Sequence, residues 1–344
     1  MAASRTVITI ATVLALVLAL VLAALVAYVV SRDSSAPVTG DHIAYSCPEQ
    51  HNRWYAVCTI RTDGTGAKRV TQEIATSDPA WAPDGRLIAF TRHEDGSEFA
   101  QFTQDDVFVM DADGTDMRQI TPERAAQSSF RPTWSPNGER VAFLRSDVVA
   151  LNSPIRFGDL FVMNVDGSEE SRLTVGKLAT GPAWSPDGRS IALAVGTPGD
   201  GVPTVADTDI WVVDLAGGQP RRLTHTPSSF ESAPAWSPDG SRIAFARWRV
   251  ATQFDGKGAI HVVNRDGLGG RRVLSPRHFA SGPYGLSWSP DGRLLALETS
   301  SMIGCTSIST VVVDTGVVRA VTTCDKPVES TVSPSWQPDP AAGR

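Results

Sequence analysis

The sequence predicts an all-β protein: a six-bladed β-propeller of four-stranded antiparallel blades, closed by its N- and C-terminal strands. Three observations carry this. One short motif recurs six times, as Trp81-Ala82-Pro83-Asp84-Gly85, Trp134-Ser135-Pro136-Asn137-Gly138, Trp184-Ser185-Pro186-Asp187-Gly188, Trp236-Ser237-Pro238-Asp239-Gly240, Trp288-Ser289-Pro290-Asp291-Gly292 and the decayed Trp336-Gln337-Pro338-Asp339. The tryptophans stand 53, 50, 52, 52 and 48 residues apart, a period that marks a radial or stacked repeat. Finally, β-rich runs separated by turn residues fill each period, and residues 41 to 344 show no helical periodicity.

Each unit can be read in order. A first strand ends at the Trp. In the turn that follows, Pro presets the second position, Asp or Asn takes the third, and Gly supplies the positive φ. A second strand comes next, such as Leu87-Ile88-Ala89-Phe90 or Ile243-Ala244-Phe245. A variable loop leads to a third strand ending in an acid or amide, such as Val107-Phe108-Val109-Met110-Asp111 or Ile210-Trp211-Val212-Val213-Asp214. A Gly turn, such as Asp113-Gly114, then precedes a short fourth strand like Arg172-Leu173-Thr174.

The two ends are complementary. Ile43-Ala44-Tyr45, Val57-Cys58-Thr59-Ile60 and Arg69-Val70-Thr71 read as second, third and fourth strands without a first, whereas Pro334-Ser335-Trp336 is a first strand with nothing after it. Joining them completes a sixth blade and removes exposed sheet edges. The recurring Trp81, Trp134, Trp184, Trp236, Trp288 and Trp336 are expected to pack between blades rather than to stack on a ligand. The stretch Asp111 to Asp116 faintly suggests a calcium loop, but Pro122 occupies the place of the closing bidentate Glu, so it too is read as structural.

These motifs resemble the TolB-type, or PD40 (WD40-like), β-propeller repeat, with its W-S-P-D-G, I-A-F-like strand, D-x-D-G turn and L-T ending. The resemblance covers residues 41 to 339. It implies a propeller near the bacterial cell envelope that contacts another envelope protein. The chain departs from TolB proper in two respects: an apolar segment replaces a cleaved export signal, and residues 31 to 40 leave no room for the α/β domain that precedes that family's propeller.

Residues Val7 to Val30 carry no charge over 24 positions, long enough to span a bilayer as an uncleaved signal anchor, with cleavage after Ala27 as the alternative. Residues 1–6 are then cytoplasmic, 7–30 a transmembrane helix, 31–40 a linker, 41–339 the propeller and 340–344 a tail. The cysteines form two local pairs, Cys47 with Cys58 and Cys305 with Cys324, each straddling a hairpin. Disulfides there would put the propeller outside the cytoplasm, with four buried thiols as the alternative. A closed propeller needs no second copy, so a monomer is expected.

The net charge of −6 and the absence of a basic stripe argue against a nucleic-acid partner. Function is expected on the face that carries the long loops, including 93 to 105, 122 to 132, 225 to 234 and 276 to 285. Inter-blade loops should bring Phe130, Arg131, Phe230, Glu231, Phe279 and Tyr284 to the rim of the central opening, as a mouth for an extended peptide or a partner's loop, unless those aromatics merely fold their loops inward. No G-x-S-x-G elbow and no H-E-x-x-H is present, and no motif calls for a cofactor. His225, Glu231 and His278, from adjacent loops, are the one constellation that could hold a metal or serve an enzyme. The expectation is a non-catalytic protein-binding or scaffolding module, and the alternative is a surface lyase or hydrolase acting on a glycan or peptide through the same mouth.

Overall fold

The structure, a computed structural model, describes residues 40–48, 55–72, 75–93, 105–124, 127–147, 157–176, 178–196, 208–217, 219–249, 258–275, 285–300, 306–322 and 332–339. The chain divides into residues 1–38 and 39–344, and the first unit, with the expected membrane anchor, lies outside the described residues. No helix among the described residues is long and apolar enough to cross a membrane. Cys305 and Cys324 also lie outside them.

Six four-stranded antiparallel sheets form the blades. The first contains β1 (His42–Pro48), β2 (Tyr55–Arg61) and β3 (Lys68–Arg69). The second is β4 (Thr76–Trp81), β5 (Leu87–His93), β6 (Asp105–Asp111) and β7 (Arg118–Gln119). The third is β8 (Gln127–Trp134), β9 (Arg140–Asp147), β10 (Asp159–Asn164) and β11 (Ser171–Arg172). The fourth is β12 (Leu178–Trp184), β13 (Ser190–Gly196), β14 (Thr208–Asp214) and β15 (Arg221–Arg222). The fifth is β16 (Ser229–Trp236), β17 (Arg242–Arg249), β18 (Ala259–Asn264) and β19 (Arg271–Leu274). The sixth is β20 (Leu286–Trp288), β21 (Leu294–Ser300), β22 (Thr306–Val312) and β23 (Val318–Ala320). The last strand, β24 (Val332–Trp336), pairs with β1 and gives the first blade its innermost strand, with Ile43 opposite Trp336 and Ala44 opposite Ser335.

The turn after each Trp is held by its own residues. Ser185, Ser237 and Ser289 donate their hydroxyls to Asp187, Asp239 and Asp291 at 2.6 Å, and each Gly N–H donates to the Ser carbonyl at 2.8–2.9 Å. The L-T ending has a physical reason as well. The hydroxyls of Thr71, Thr121, Thr174, Thr224 and Thr322 accept the backbone N–H of Val57, Val107, Leu160, Ile210 and Ile308 at 2.8–3.0 Å, so the outer strand is tied to the third by a side chain.

The core consists of six layers between successive blades. Ile88, Phe90, Phe108 and Met110 of the second blade pack with Ala44, Val57 and Val70 of the first, while Ala89, Val107 and Val109, alternating with them, pack with Val141, Phe143 and Met163 of the third. Both faces of each sheet are therefore apolar, the consequence of side chains alternating across a pleated strand. The same arrangement joins the sixth blade to the first through Ala296, Ile308, Val321, Ile43, Tyr45 and Trp336. Each motif Trp is 6–8 % exposed and sits in one of these layers. The indole N–H groups of Trp134, Trp288 and Trp336 donate to the carbonyls of Ala80, Ala235 and Gly40 at 3.0, 3.0 and 2.7 Å. A buried ring of this size removes ~200 Å² from water, a gross contribution of roughly 5 kcal/mol.

On the outer side of the disc the blades touch backbone to backbone. A Cβ on Gly114, which has φ 97°, would stand 2.5 Å from the carbonyl oxygen of Val70, and one on Gly267 2.8 Å from that of Leu223. Asp113 in the same turn accepts the side-chain and backbone hydrogens of Thr115, which hold its carboxyl below the usual range and commit it to the turn.

Cys47 and Cys58 form a disulfide between β1 and β2, with Cα atoms 5.8 Å apart. They sit diagonally across the pair, since Cys47 is opposite Ala56 and Cys58 opposite Tyr45.

Three outcomes follow from these contacts and from the disulfide. Gly114→Ala should lower the unfolding free energy by about 2–3 kcal/mol in urea titrations, through clash plus left-handed strain. Gly217→Ala, at φ 95° with open space around it, should cost about 1 kcal/mol from strain alone. Reduction of the protein, or Cys47→Ser with Cys58→Ser, should destabilise the propeller by about 2–3 kcal/mol, read as a fall in Tm, because the 11-residue loop is no longer closed in the unfolded chain.

Candidate functional site

A dipeptide begins three residues before each Trp, within the innermost strand in five blades and at its start in the sixth: Asp78-Pro79, Arg131-Pro132, Gly181-Pro182, Ala233-Pro234, Ser333-Pro334 and Gly285-Leu286. Proline cannot donate to a sheet ladder and is tolerated in a strand at a bulge. The register accordingly shifts at Ser77/Ala80, Phe130/Thr133, Thr180/Ala183 and Ser232/Ala235. The residue before the proline takes the left-handed region in five of these dipeptides, at φ 51° for Asp78, 55° for Arg131, 62° for Gly181, 49° for Ala233 and 56° for Ser333. A non-glycine residue there costs of order 1–3 kcal/mol, and such strain concentrates at functional sites.

These twelve residues line one cavity of about 120 Å³, at the meeting point of the six inner strands. Its wall is uneven. Gly181 and Gly285 are pressed against neighbouring backbone, since a Cβ would meet the Ala233 Cα at 3.3 Å and the Ser333 Cα at 2.8 Å. With Ala233 they make a small, apolar half. Ser333, Asp78 and Arg131 make a polar half. Ser333 donates its hydroxyl to Asp78 Oδ1 at 3.0 Å, and Ser77 donates to Asp78 Oδ2 at 3.1 Å. Arg131 places Nε 3.9 Å from Asp78 Oδ1, donates Nη1–H to Thr180 Oγ1 at 2.6 Å, and donates its backbone N–H to Thr91 Oγ1 at 3.1 Å. A cation, a carboxylate and a hydroxyl from three blades thus face one space.

Of the residues expected at a loop-built mouth, Arg131 alone among the described ones reaches this cavity. The expectation placed Phe130, Arg131, Phe230 and Glu231 in inter-blade loops, but the inner strands begin at Gln127 and Ser229, because bulges let them run through Pro132 and Pro234. Phe130 is 1 % exposed and packs with Leu144, Leu160 and Trp184, while Phe230 is tilted against Trp248 with ring centroids 4.8 Å apart. Phe279, Tyr284 and His278 lie outside the described residues, as does most of each long loop within a blade.

Of the expected constellation His225, Glu231 and His278, His278 lies outside the described residues and the Glu231 carboxylate is already engaged. Glu231 is fully buried and occupied: Arg247 donates Nε–H to Oε1 at 2.7 Å, the Ile210 N–H reaches Oε2 at 3.2 Å, and the Thr224 hydroxyl donates to Oε2. Burial raises its pKa, outweighing the opposing pull of Thr224 and Arg247. His225 is exposed and outside this cluster. No group of three His, Cys, Asp or Glu among the described residues could hold a metal ion. His261 is a packed residue, its ring 5.8 Å from that of Phe245.

Burial, together with Arg247 and Arg272, lowers the His261 pKa to about 4. The neutral imidazole is thus preferred in the folded state, so this contribution is complete above the ordinary histidine range and is lost as pH falls from about 6.5 towards 4. Because the ring is partly exposed, the loss should be about 1–2 kcal/mol. His261→Phe should flatten that part of the stability–pH curve in urea titrations at several pH values.

No family model matches the chain. It is 26% identical over 213 residues to the uncharacterized peptidase YuxL of Bacillus subtilis, a match covering 52% of this chain and 30% of that protein. To the Tol-Pal system protein TolB of Rhizorhabdus wittichii it is 41% identical over 78 residues, 22% of this chain and 16% of the relative. The chain thus spans less than a third of either relative's length. Among solved structures, TolB from Acinetobacter baumannii superposes with TM-score 0.65 at 19% identity, covering 87% of this chain and 67% of that one. An oligogalacturonate lyase from Vibrio parahaemolyticus superposes with TM-score 0.53 at 11% identity, covering 81% and 78%. The likeness to these structures is one of fold. The chain is a TolB-like six-bladed propeller, a frame that also carries lyase and peptidase-linked domains.

Proposed function

We propose that this chain is a membrane-anchored, extracytoplasmic TolB-like propeller of the PD40 type, its ring closed by β24, that binds or scaffolds a protein or peptide partner at the bacterial cell envelope. One observation carries the reading. Six equivalent positions of a repeated frame hold unlike groups around one cavity, and the polar ones, Asp78, Arg131 and Ser333, keep strained backbone there. Repetition requires the bulge but not those side chains, so their asymmetry is available for recognition. A polar, bidentate-capable Arg beside a carboxylate suits a partner segment bearing both donors and acceptors.

Location rests on two supports. The Cys47–Cys58 disulfide suits an oxidising compartment, and the uncharged run from residue 7 to residue 30 suits a bilayer span.

The test is crosslinking of the intact protein in its native membrane, followed by mass spectrometry of captured partners. Arg131→Glu, and separately Asp78→Lys, should each reduce capture of the dominant partner at least tenfold. Arg118→Ala, whose guanidinium contacts the Val165 carbonyl away from the cavity, should leave capture unchanged. Equal capture by all three variants would remove the axial surface from consideration.

A further inference from the structure

The second blade contains a polar set that the other blades do not repeat. His93 ends β5 and pairs across the sheet with Asp105, which begins β6. Its Nδ1 lies 2.5 Å from Asp105 Oδ1, and its Nε2 lies 3.4 Å from the Oγ of Ser77 in β4. Asp105 is fully buried, the His93 side chain is 20 % exposed and Ser77 is half-buried. The acid is therefore the most enclosed of the three. The Asp105 backbone N–H donates to Ser128 Oγ at 3.3 Å, which fixes the acid against the third blade.

The repeat does not explain these residues. The cross-strand position of His93 and Asp105 is held by Pro48 and Tyr55 in the first blade, by Gly196 and Thr208 in the fourth, and by Ser300 and Thr306 in the sixth. The place of Ser77 before the bulge is Phe130, Thr180 or Ser232 elsewhere. A blade thus forms without an acid, an imidazole or a serine at these points, and only here do all three coincide. Ser77 lies just outside the axial cavity, next in sequence to Asp78, which lines it, and donates to the Asp78 carboxylate.

We propose that Ser77, His93 and Asp105 act as nucleophile, base and orienting acid towards a small ester or activated acyl group, an activity separate from partner binding. With Nδ1–H donated to Asp105, the imidazole presents the Nε2 lone pair to the serine hydroxyl. Ser77 Oγ bonds to the acyl carbon as its proton passes to Nε2. The ester C–O bond breaks, and the alcohol leaves with that proton. Water then attacks the acyl-serine, gives a proton to Nε2 and releases the acid, and the serine is reprotonated. Arg131, 3.9 Å from Asp78 on the same wall, supplies positive charge for the oxyanion. Asp78 Oδ2, 3.1 Å from Ser77 Oγ, competes for the hydroxyl proton, but it also accepts from Ser333.

The experiment treats the detergent-solubilised full chain with a fluorophosphonate, whose P–F bond breaks as Oγ–P forms, and locates the adduct by mass spectrometry. The expected result is an adduct on Ser77, formed at least about 100-fold more slowly in His93→Gln and in Asp105→Asn. Ser77→Ala should lose both the adduct and hydrolysis of p-nitrophenyl acetate. Asp78→Asn, which removes the competing carboxylate, should remain reactive. Thermal melts establish that each variant is folded. No adduct on Ser77 in either the wild type or Asp78→Asn, or an adduct formed equally fast in folded His93→Gln, would overturn the proposal.

Discussion

Everything in this propeller depends on how closely adjacent blades approach. At the outer strand the distance is set by backbone, with Gly114 against the Val70 carbonyl and Gly64, in the first blade, against the Val321 carbonyl of the sixth. Nearer the axis it is set by indole rings and by aliphatic side chains from both faces of every sheet. A blade has no solvent-facing side, so its second and third strands must be apolar at successive residues, as Ile88-Ala89-Phe90 and Val107 to Met110 are. Polar groups survive within these layers where they satisfy backbone, as the repeated Thr hydroxyls do, or one another, as Glu231 and Arg247 do.

The same crowding fixes what the axis can offer. Five of the six inner strands bend through a left-handed residue three positions before the Trp. Where neighbouring backbone is nearest, glycine is needed, as at Gly181 and Gly285. Asp78, Arg131 and Ser333 carry the polar side chains of the ring, and the site's chemistry is confined to that half. Ser77, His93 and Asp105 sit just outside it, linked to it through Asp78.

Much of the architecture was legible because each device repeats. Trp, turn Gly, alternating apolar strands and the terminal Thr recur at one period, and the split of the first blade between the two chain ends could be read from the half-units alone. The site was less so. Residues 122 to 132 and 225 to 234 read as inter-blade loops, which put Phe130, Phe230 and Glu231 in them, whereas bulges carry the inner strands through Pro132 and Pro234 and bury all three. The x-Pro pair ahead of five of the six tryptophans was a visible signal for the axial ring. The approach of His93 to Ser77 was not, because it requires the cross-strand register and the bulge together.

Joining the last strand to the first blade is the central claim, since the sixth inter-blade layer and the polar half of the axis both need β24 in place. Backbone contact is direct: Gln337 N–H donates to the His42 carbonyl at 2.9 Å. Hydrogen exchange of the intact protein, followed by mass spectrometry of peptides spanning β1, β13 and β24, reads this most directly. The account predicts that the amides of Ile43 and Trp336 exchange as slowly as those of Ile191 and Leu193 in β13. Rapid exchange across Val332–Trp336 while β13 stays protected would contradict it.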